Sequence, residues 1–321
     1  MPEIPESQRF SEHVEKVKKA VIVAHEYPDF DAIGSVLSLR AQLVKRGIEV
    51  VVRIPDIIRD VYDFLPFSDQ IVRKVPDGFS FDTLFVLDCS NPNRVKNFND
   101  LKIDAKRVTI VNMDHHADNT RFGDINLVTS EISSVGELLA TVFRSLSWSI
   151  DRDIATCLFS AMSYDTGRFS YSNVTNHTLA RAAELVAEGA DVADISSRMY
   201  ENFTEGTFQV LKEALGGLIV NRELGYAYTT MNKHLTDSRV KIIDFIRMLN
   251  DIDVVMVFRE VNSNCVKISL RSKEKFDVQT FSAQFGGGGH KRASGIVLTG
   301  KLADVEKKVV EKLNDALTLS K

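Results

Sequence analysis

The sequence of 321 residues has little cysteine, no long apolar run and no excess of basic residues. Its cysteines, Cys89, Cys157 and Cys265, are widely spaced and include no C-x-x-C pair, which argues against a disulfide framework and a thiolate zinc site. No stretch approaches the ~20 apolar residues of a membrane span, and residues 1–19 are polar and charged without the apolar centre of a signal peptide. We therefore expect a protein of the cytoplasm that has no contact with membranes.

The acidic balance of charge limits what the protein can bind. The formal net charge is -4 and the isoelectric point is near 6.0, so no overall basic field attracts duplex DNA. Binding of phosphate must then be local, which favours small anionic ligands. The length favours two domains, since one domain usually has about 100–200 residues.

A short stretch near the N-terminus has the pattern of a functional strand end. Val21–Ala24 is apolar without alternation, which is typical of a strand buried in a parallel sheet, and a helix is predicted over about Ala32–Arg46. Between them lie His25, Asp29 and Asp31, where α/β sheets place their chemistry, so we predict a metal site. The alternative is structural: Asp29 would cap the helix, Asp31 would favour its dipole and His25 would bond to a carbonyl group.

Later segments carry more ligand-type side chains at similar positions. One predicted strand ends on Asp88, the next ends on Asp114, His115 and His116, and a predicted helix is followed by Asp165. Because parallel strands end at one edge of the sheet, these side chains become neighbours, and the metal site is favoured over the structural alternative. The elements concerned are predicted at Thr83–Leu87, Val108–Met113 and Arg152–Ser163.

The set of candidate ligands contains oxygen and imidazole but no sulfur, which suits Mn²⁺ better than structural zinc. Four crowded carboxylates would repel one another, and two cations would relieve that repulsion. Since His115 and His116 are adjacent, we expect them to point in different directions, so that one binds metal and the other meets substrate. Asp114 is interpreted as a group that orients a ligating histidine. The candidate ligands are His25, Asp29, Asp31, Asp88, His115 and Asp165.

The C-terminal part has a second α/β pattern, with short strands, a helix near Val240–Leu249 and a glycine run at Gly286–Gly289. Exposed N–H groups followed by His290 and two cations would form an anion-binding nest, although four glycines are also typical of a flexible turn. Arg271, at a predicted strand end, is a candidate for a phosphate contact, with a surface ion pair as the alternative. The predicted organisation is a catalytic domain at 1–190, a helical connector at 191–220 and a smaller domain at 221–321.

Together these motifs resemble the DHH phosphoesterase superfamily. The resemblance rests on His25-x-x-x-Asp29-x-Asp31, the strand end at Asp88, Asp114-His115-His116 with Asn119, and Asp165-Thr166-Gly167-Arg168-Phe169, while Gly286–His290 with Ala293 and Gly295 resembles a DHHA1 domain. It implies an α/β fold, with an N-terminal parallel-sheet DHH domain with flanking helices and a smaller C-terminal α/β DHHA1 domain. The short stand-alone members, similar to nanoRNase/pAp phosphatases and pApA phosphodiesterases, resemble this chain in organisation.

Carried over residue by residue, the resemblance implies a site with two Mn²⁺, with Co²⁺ or Mg²⁺ as alternatives. His25 and Asp29 would bind one ion, and Asp31, His115 and Asp165 the other, with Asp88 between them. His116 would contact the scissile phosphate or help protonate the leaving group, and Asp114 would support it. Substrate binding is assigned to Arg168, Arg271, Gly287, Gly288, Gly289 and His290.

The resulting prediction is a hydrolase that cleaves short oligoribonucleotides or linear dinucleotides to nucleoside 5'-monophosphates. Alternatives are a 3'-phosphoadenosine 5'-phosphate phosphatase, a single-strand exonuclease, a non-catalytic dinucleotide sensor or an RNA-binding accessory; the DHHA1-like end disfavours a pyrophosphatase. The oligomeric state is left open, with a homodimer as one option. Two departures from the family pattern are Phe30, where a small residue is common and which would narrow access or stack on a base, and Val174, where threonine is frequent.

Overall fold

A computed structural model describes residues 4–56, 60–101, 103–104, 107–232 and 242–319. The chain forms two compact units, divided between Glu201 and Asn202. Each unit contains one six-stranded sheet together with helices, and the sheet of the first unit is parallel throughout. The predicted two-domain α/β fold is therefore confirmed.

The first unit follows the predicted alternation of strands and helices, with short 3-10 turns in its loops. Its strands are β1 (Lys19–Ala24), β2 (Glu49–Arg53), β3 (Ile71–Val72), β4 (Thr83–Leu87), β5 (Thr109–Asp114) and β6 (Ile125–Val128). Its helices are α1 (Ser7–Val14), α2 (Phe30–Val44), α3 (Val135–Ser145), α4 (Arg152–Asp165), α5 (Asn176–Ala187) and α6 (Val192–Tyr200).

The order of strands in the first sheet is β3-β2-β1-β4-β5-β6. The chain moves outward from β1 in one direction and then restarts at β4 on the other side of β1, which makes the junction of β1 and β4 a topological switch point. The loops after β1 and β4 consequently leave the sheet side by side. Such a crevice is where open α/β sheets bind their ligands.

Alternation along β1 divides the core into two layers. Ala20 and Ile22 belong to the cluster that contains the apolar sides of α2, α3 and α4, whereas Val21 and Val23 face a second cluster built from Val95, Leu101 and neighbouring loop residues. The strand is therefore apolar on both faces, as its unalternating sequence predicts.

The second unit has mostly antiparallel pairing, in the order β11-β12-β10-β9-β8-β7, with β8 and β9 parallel. Its strands are β7 (Ile219–Asn221), β8 (Tyr226–Met231), β9 (Val254–Asn262), β10 (Cys265–Ser272), β11 (Gly288–His290) and β12 (Ala293–Thr299). Its helices are α7 (Glu205–Gly216), α8 (Ile242–Arg247), α9 (Val278–Ala283) and α10 (Leu302–Leu319). The start of the helix predicted at Val240–Leu249 lies outside the described residues.

Several boundaries differ from the sequence-based predictions for local reasons. The helix predicted over about Ala32–Arg46 begins earlier, at Phe30, because Asp29 caps it, and it ends at Val44. The segment predicted as a connector contains α6 in the first unit, followed by α7 and β7 in the second. Across the described residues, none of the helices combines the length and apolar character that a bilayer span requires.

Candidate metal centre

The switch point brings two distant segments into contact. His25 directly follows β1 and Asp88 directly follows β4, and because these strands are neighbours, His25 Nε2 lies 3.2 Å from Asp88 Oδ2. Both side chains are buried. The strand ends thus supply the first pair of the site that the sequence predicts.

The orientation of His25 favours binding of a cation. Its Nδ1 lies 2.7 Å from the carbonyl oxygen of Glu26, which can only accept, so Nδ1 carries a proton. In the neutral imidazole, Nε2 is then an acceptor that faces a carboxylate oxygen, and two facing acceptors need a proton or a metal between them. Burial lowers the pKa of His25, but the hydrogen bond and charge of Asp88 outweigh burial and raise it.

Asp88 lies at the centre of the site in a conformation that is uncommon for aspartate. Its φ is 54°, in the left-handed region, and turns the chain sharply after β4. Burial raises the pKa of Asp88, but the imidazoles of His25, His116 and His115 outweigh burial and lower it. Among the described residues Asp88 Oδ1 has no hydrogen-bond partner although it is buried, which is the state expected of a ligand atom.

Asp31 is completely buried at the start of α2 and is held by another helix. The N–H of Val135 donates to its Oδ2 at 2.8 Å and the N–H of Gly136 to its Oδ1 at 2.9 Å, so the carboxylate lies at the N-terminus of α3. Burial, followed by the charges of Asp88 and Asp165, nevertheless raises the pKa of Asp31 well above its ordinary value. This crowding of carboxylates is the repulsion that a cation would relieve.

His115 joins three of the carboxylates. Its Nε2 lies 3.2 Å from Asp165 Oδ2, 3.6 Å from Asp88 Oδ1 and 3.8 Å from Asp31 Oδ2. Burial lowers the pKa of His115, but the hydrogen bond and charge of Asp165, with the charges of Asp31 and Asp88, raise it to about 10. Asp165 is the last residue of α4, two residues beyond the predicted end of that helix.

His116 has a partner of its own, although its ring lies edge-on to that of His115 with the ring centres 4.8 Å apart, and its Nδ1 lies 3.6 Å from Asp88 Oδ1. Its Nδ1 donates to Asp114 Oδ1 at 2.7 Å, and Asn119 Nδ2 donates to Asp114 Oδ2 at 2.6 Å. The same amide also reaches Asn112 Oδ1 at 2.9 Å. Asp114 therefore orients His116 rather than His115, and Asn119 fixes Asp114.

Asp29 caps α2, as in the structural alternative, and it also lies at the candidate metal centre. Its Oδ1 accepts from the N–H groups of Asp31 and Ala32, so it caps α2. One ligand atom each from His25, Asp29 and Asp88 lie within 4.8 Å of one another. Asp29 therefore combines the capping of α2 with a place in a candidate ligand group.

The donor atoms fit divalent cations. Within the described residues, His25, Asp29 and Asp88 form one group of possible ligands, and Asp31, Asp88 and His115 form another, with all atoms of each group within 4.8 Å. Asp88 belongs to both groups, and Asp165 lies against the second. Carboxylate and imidazole donors without sulfur match Mn²⁺, Co²⁺ or Mg²⁺ better than a thiolate-type zinc site.

Phe30 and Arg168, which lie near the candidate ligands in the sequence, differ in their exposure. Phe30 is buried, with its ring centre 4.7 Å from that of Tyr62 and 5.6 Å from that of Tyr164, so the suggestion that it stacks on a base is wrong. Arg168 is exposed, and its guanidinium lies 4.8 Å from the centre of the Tyr200 ring. Arg168 follows Asp165 through a turn with positive φ at residues 167–169.

The remaining candidates belong to the second unit. Arg271 lies on β10, where its Nη1 donates to Leu270 O and its buried Nε has no partner among the described residues. Gly288–His290 form the edge strand β11, and the N–H of Gly287 donates to Ser282 O, so the expected nest of available N–H groups is wrong for Gly287. Gly287 and Gly289 allow close packing, since an added Cβ would lie 2.3 Å from Gly295 O and 2.5 Å from Ala293 O respectively.

Glu137 is a buried residue of this region that the sequence analysis missed. Its Oε2 accepts from the N–H of Ser133 at 2.9 Å, from the Ser133 hydroxyl at 2.6 Å and from the Thr178 hydroxyl at 3.0 Å. It thereby fixes the turn before α3, the helix whose first N–H groups donate to Asp31. The S-x-x-E spacing of Ser134 and Glu137, a capping-box pattern, is the signal that would have identified it.

Glu137→Gln should lower the free energy of unfolding by about 1 kcal/mol, because a neutral amide accepts these buried hydrogen bonds less strongly than a carboxylate. It should also weaken Mn²⁺ binding, since the N–H groups that hold Asp31 would be less firmly placed. Urea unfolding and calorimetric titration with Mn²⁺ measure the two effects. Glu131→Gln, at an exposed glutamate just before the same turn, is the control and should change neither quantity. Equal behaviour of the two variants would contradict this role of Glu137.

Comparison with known proteins agrees with the architecture. Residues 19–162 match the family model described as "DHH family, N-terminal domain", and residues 223–319 match the "DHHA1 domain". The bifunctional oligoribonuclease and PAP phosphatase NrnA of Thermus thermophilus is 30% identical, over 95% of this chain and 94% of that protein. The cyclic-di-AMP phosphodiesterase PdeA of Listeria monocytogenes is 26% identical, over 96% of this chain and 49% of that protein.

A solved structure extends the similarity to the whole fold. An exopolyphosphatase-related protein from Bacteroides fragilis superposes with a TM-score of 0.87 and 26% identity, over 98% of this chain and 97% of that one. The two family models also occur in the order in which the two units follow each other along the chain. The chain therefore belongs to the DHH family and combines a DHH N-terminal domain with a DHHA1 domain.

Proposed function

We propose that the protein is a metal-dependent phosphodiesterase that hydrolyses short oligoribonucleotides or linear dinucleotides of the pApA type to nucleoside 5'-monophosphates. The observation that carries the proposal is the pair of ligand groups that share Asp88. Two adjacent cations suit phosphoryl chemistry, in which charge develops on both the attacking and the leaving oxygen. The names of the relatives, an oligoribonuclease with PAP phosphatase activity and a cyclic-di-AMP phosphodiesterase, point to the same class of substrates.

The proposed cofactor is a pair of Mn²⁺ ions, with Co²⁺ or Mg²⁺ as alternatives. His25 and Asp29 would hold one ion, His115, Asp31 and Asp165 the other, and Asp88 would contact both. Bound there, the cations would lower the pKa of a water molecule and neutralise charge on the phosphate.

His116 is the proposed contact to the scissile phosphate. Asp114 accepts from its Nδ1, so the ring is fixed in orientation. A ring held in this way would contact the scissile phosphate or help protonate the leaving oxygen. Asn119, by fixing Asp114, would position this group indirectly.

The second unit is proposed to bind an anionic group of the substrate through Arg271, Gly288, Gly289 and His290. Arg168 of the first unit is proposed separately as a cation that contacts substrate. The buried Nε of Arg271, which has no partner among the described residues, supports this assignment, because such a donor is costly unless a ligand uses it. A few local cations without an overall basic groove suit a short substrate better than long nucleic acid or duplex DNA. The net charge of -4 agrees with this preference.

Arg271→Gln should raise KM for pApA by about 10- to 100-fold with a much smaller change in kcat, because it removes a charge-assisted contact that substrate and transition state share. The check is a steady-state comparison with Lys312→Gln, which removes an exposed cation of α10 and should behave as wild type. An unchanged KM would remove Arg271 from the substrate site.

A second candidate function is hydrolysis of 3'-phosphoadenosine 5'-phosphate, which the name of the Thermus relative favours because it includes PAP phosphatase. The same ligand groups would serve a phosphate monoester, so the site alone does not separate the two substrates. A dinucleotide sensor or an RNA-binding accessory would have no use for two ligand groups that share a carboxylate. Metal-dependent turnover distinguishes the enzyme from both of these.

The deciding experiment compares hydrolysis of pApA, a five-nucleotide RNA and 3'-phosphoadenosine 5'-phosphate, first with Mn²⁺ and then with EDTA. We expect mononucleotides from pApA or the RNA with Mn²⁺ and none with EDTA. Faster release of phosphate from 3'-phosphoadenosine 5'-phosphate would favour the second function. Binding of pApA without turnover of any substrate would contradict the enzyme and leave the sensor.

A further inference from the structure

Tyr27 is an exposed aromatic residue in the loop that carries the candidate ligands. Its side chain is 63% exposed, whereas Phe30, three residues later, is 5% exposed and packs in the core. Burial of a large aromatic side chain stabilises the folded state, so an aromatic side chain that stays exposed on a short loop fixed by hydrogen bonds is a candidate for ligand binding. Of these two aromatic residues, Tyr27 is therefore the one that a ligand can reach.

The loop that carries Tyr27 is fixed on both sides. The N–H of Glu26 donates to Arg94 O at 2.7 Å, and the Tyr62 hydroxyl donates to Pro28 O at 2.8 Å. Tyr27 itself has φ of 55°, a left-handed conformation that is uncommon for a bulky residue and costs free energy. The ring is therefore presented in a defined direction, which lowers the entropic cost of using it for binding.

A cation faces the Tyr27 ring. Lys96 Nζ lies 5.8 Å from the ring centre and 2.8 Å from a carboxylate oxygen of the buried Asp56, whose other oxygen lies 3.4 Å from the N–H of Tyr27. Lys96 is thus held in place by Asp56 at a distance typical of cation–π contacts. These contacts fix the ring further while 63% of the side chain remains exposed.

Tyr27 is also close to the candidate metal centre. One residue lies between it and His25 and one between it and Asp29, so its Cα lies within about 7.6 Å of the Cα of each, at ~3.8 Å per residue. Both of these residues belong to the ligand group that includes Asp88. An aromatic side chain at this distance can reach the base of a nucleotide whose phosphate lies at the cluster.

We propose that Tyr27 is a stacking platform for a nucleobase of the substrate and thereby selects nucleotides over phosphate esters that lack a base. The proposal rests on the proposed function, since it concerns the same substrate at the same site. Stacking on an aromatic side chain tolerates every base, because each base has a π face. Tyr27 therefore adds affinity for a nucleotide without fixing its sequence.

The test is a double-mutant cycle between the ring and the base. The variants are Tyr27→Asn, which removes the ring but suits a left-handed backbone, and Tyr27→Phe, which keeps the ring. The substrates are pApA and two analogues in which one or the other adenine is replaced by hydrogen. KM is measured by turnover with Mn²⁺, and Kd by calorimetry with phosphorothioate versions of the same compounds, while melting temperatures show that the variants are folded.

Tyr27→Asn should bind pApA about 5- to 150-fold more weakly than wild type, the range that corresponds to base–aromatic stacking, whereas Tyr27→Phe should stay within about twofold. With the analogue that lacks the stacked adenine, wild type and Tyr27→Asn should have the same affinity. An equal loss with all three compounds, or no loss with pApA, would overturn the proposal. If wild type binds pApA but does not cleave it, the proposed function fails, and the Kd values still decide the role of Tyr27.

Discussion

Asp88→Asn should lower kcat/KM for pApA by at least about 10²- to 10³-fold, the effect of losing one preorganised charged group in other active sites. The substitution keeps the shape of the side chain but removes its negative charge. Asp88 is the residue that both ligand groups share, so this single change should weaken binding at both. We expect the content of bound Mn²⁺, measured by mass spectrometry after dialysis, to fall together with activity.

The fold should survive this change, because asparagine tolerates the left-handed backbone at residue 88 better than most residues. Circular dichroism spectra of Asp88→Asn and wild type should therefore coincide. Asp118→Asn, an exposed aspartate in the loop after β5, is the matched control and should retain both metal and activity. Turnover that persists in Asp88→Asn with a full complement of Mn²⁺ would exclude a shared-ligand role.

Gly34→Ala should destabilise the protein by about 1–3 kcal/mol and lower activity by roughly 10²-fold. Gly34 lies where α2 crosses α4, and a Cβ there would be 2.4 Å from the carbonyl oxygen of Cys157 and 3.2 Å from the Ala161 Cβ. The clash is with backbone, so the helices must separate. Since α2 begins near Asp31 and α4 ends at Asp165, their separation would also widen the metal centre.

Gly216→Ala provides the control for helix propensity, because Gly216 ends α7 and an added Cβ would meet nothing within 4 Å. It should change stability by less than about 1 kcal/mol, in the stabilising direction. Thermal unfolding of the two variants and their kcat values for pApA distinguish the clash at Gly34 from the general effect of alanine on a helix. If Gly34→Ala is as stable and as active as wild type, the contact between α2 and α4 does not position the ligands.

Strands buried on both faces are the part of the fold that the sequence predicts best. Thr83–Leu87 is found at its predicted bounds, because a short continuous apolar run between polar segments favours a strand that is buried on both faces. The position of the ligands at strand ends follows from the same pattern, because parallel strands share an edge. His25 and Asp88 could therefore be predicted as neighbours without any knowledge of side-chain contacts.

Features that depend on tertiary contacts were not predictable in this way. Glycines in β11 have no side chains to alternate, so periodicity gives no sign of a strand, and their pairing with β12 decides it. Likewise, Tyr27 in the loop and Phe30 at the start of α2 are similar aromatic residues, and only the packing of Tyr62 and Tyr164 around Phe30 distinguishes the buried residue from the exposed one. Side-chain burial in loops is set by partners that are distant in sequence.

The crowding of Asp29, Asp31, Asp88 and Asp165 exists only in the folded chain. In the unfolded chain Asp29 and Asp31 stay near each other in sequence, but Asp88 and Asp165 are far from them and all four are hydrated, so most of the repulsion arises only on folding. A cation that binds only the native state offsets this penalty, by about 2.7 kcal/mol at a free concentration of roughly 100 times its Kd. Depletion of metal in a cell would therefore increase the unfolded fraction and expose the chain to proteases, so that the protein would lose abundance as well as turnover.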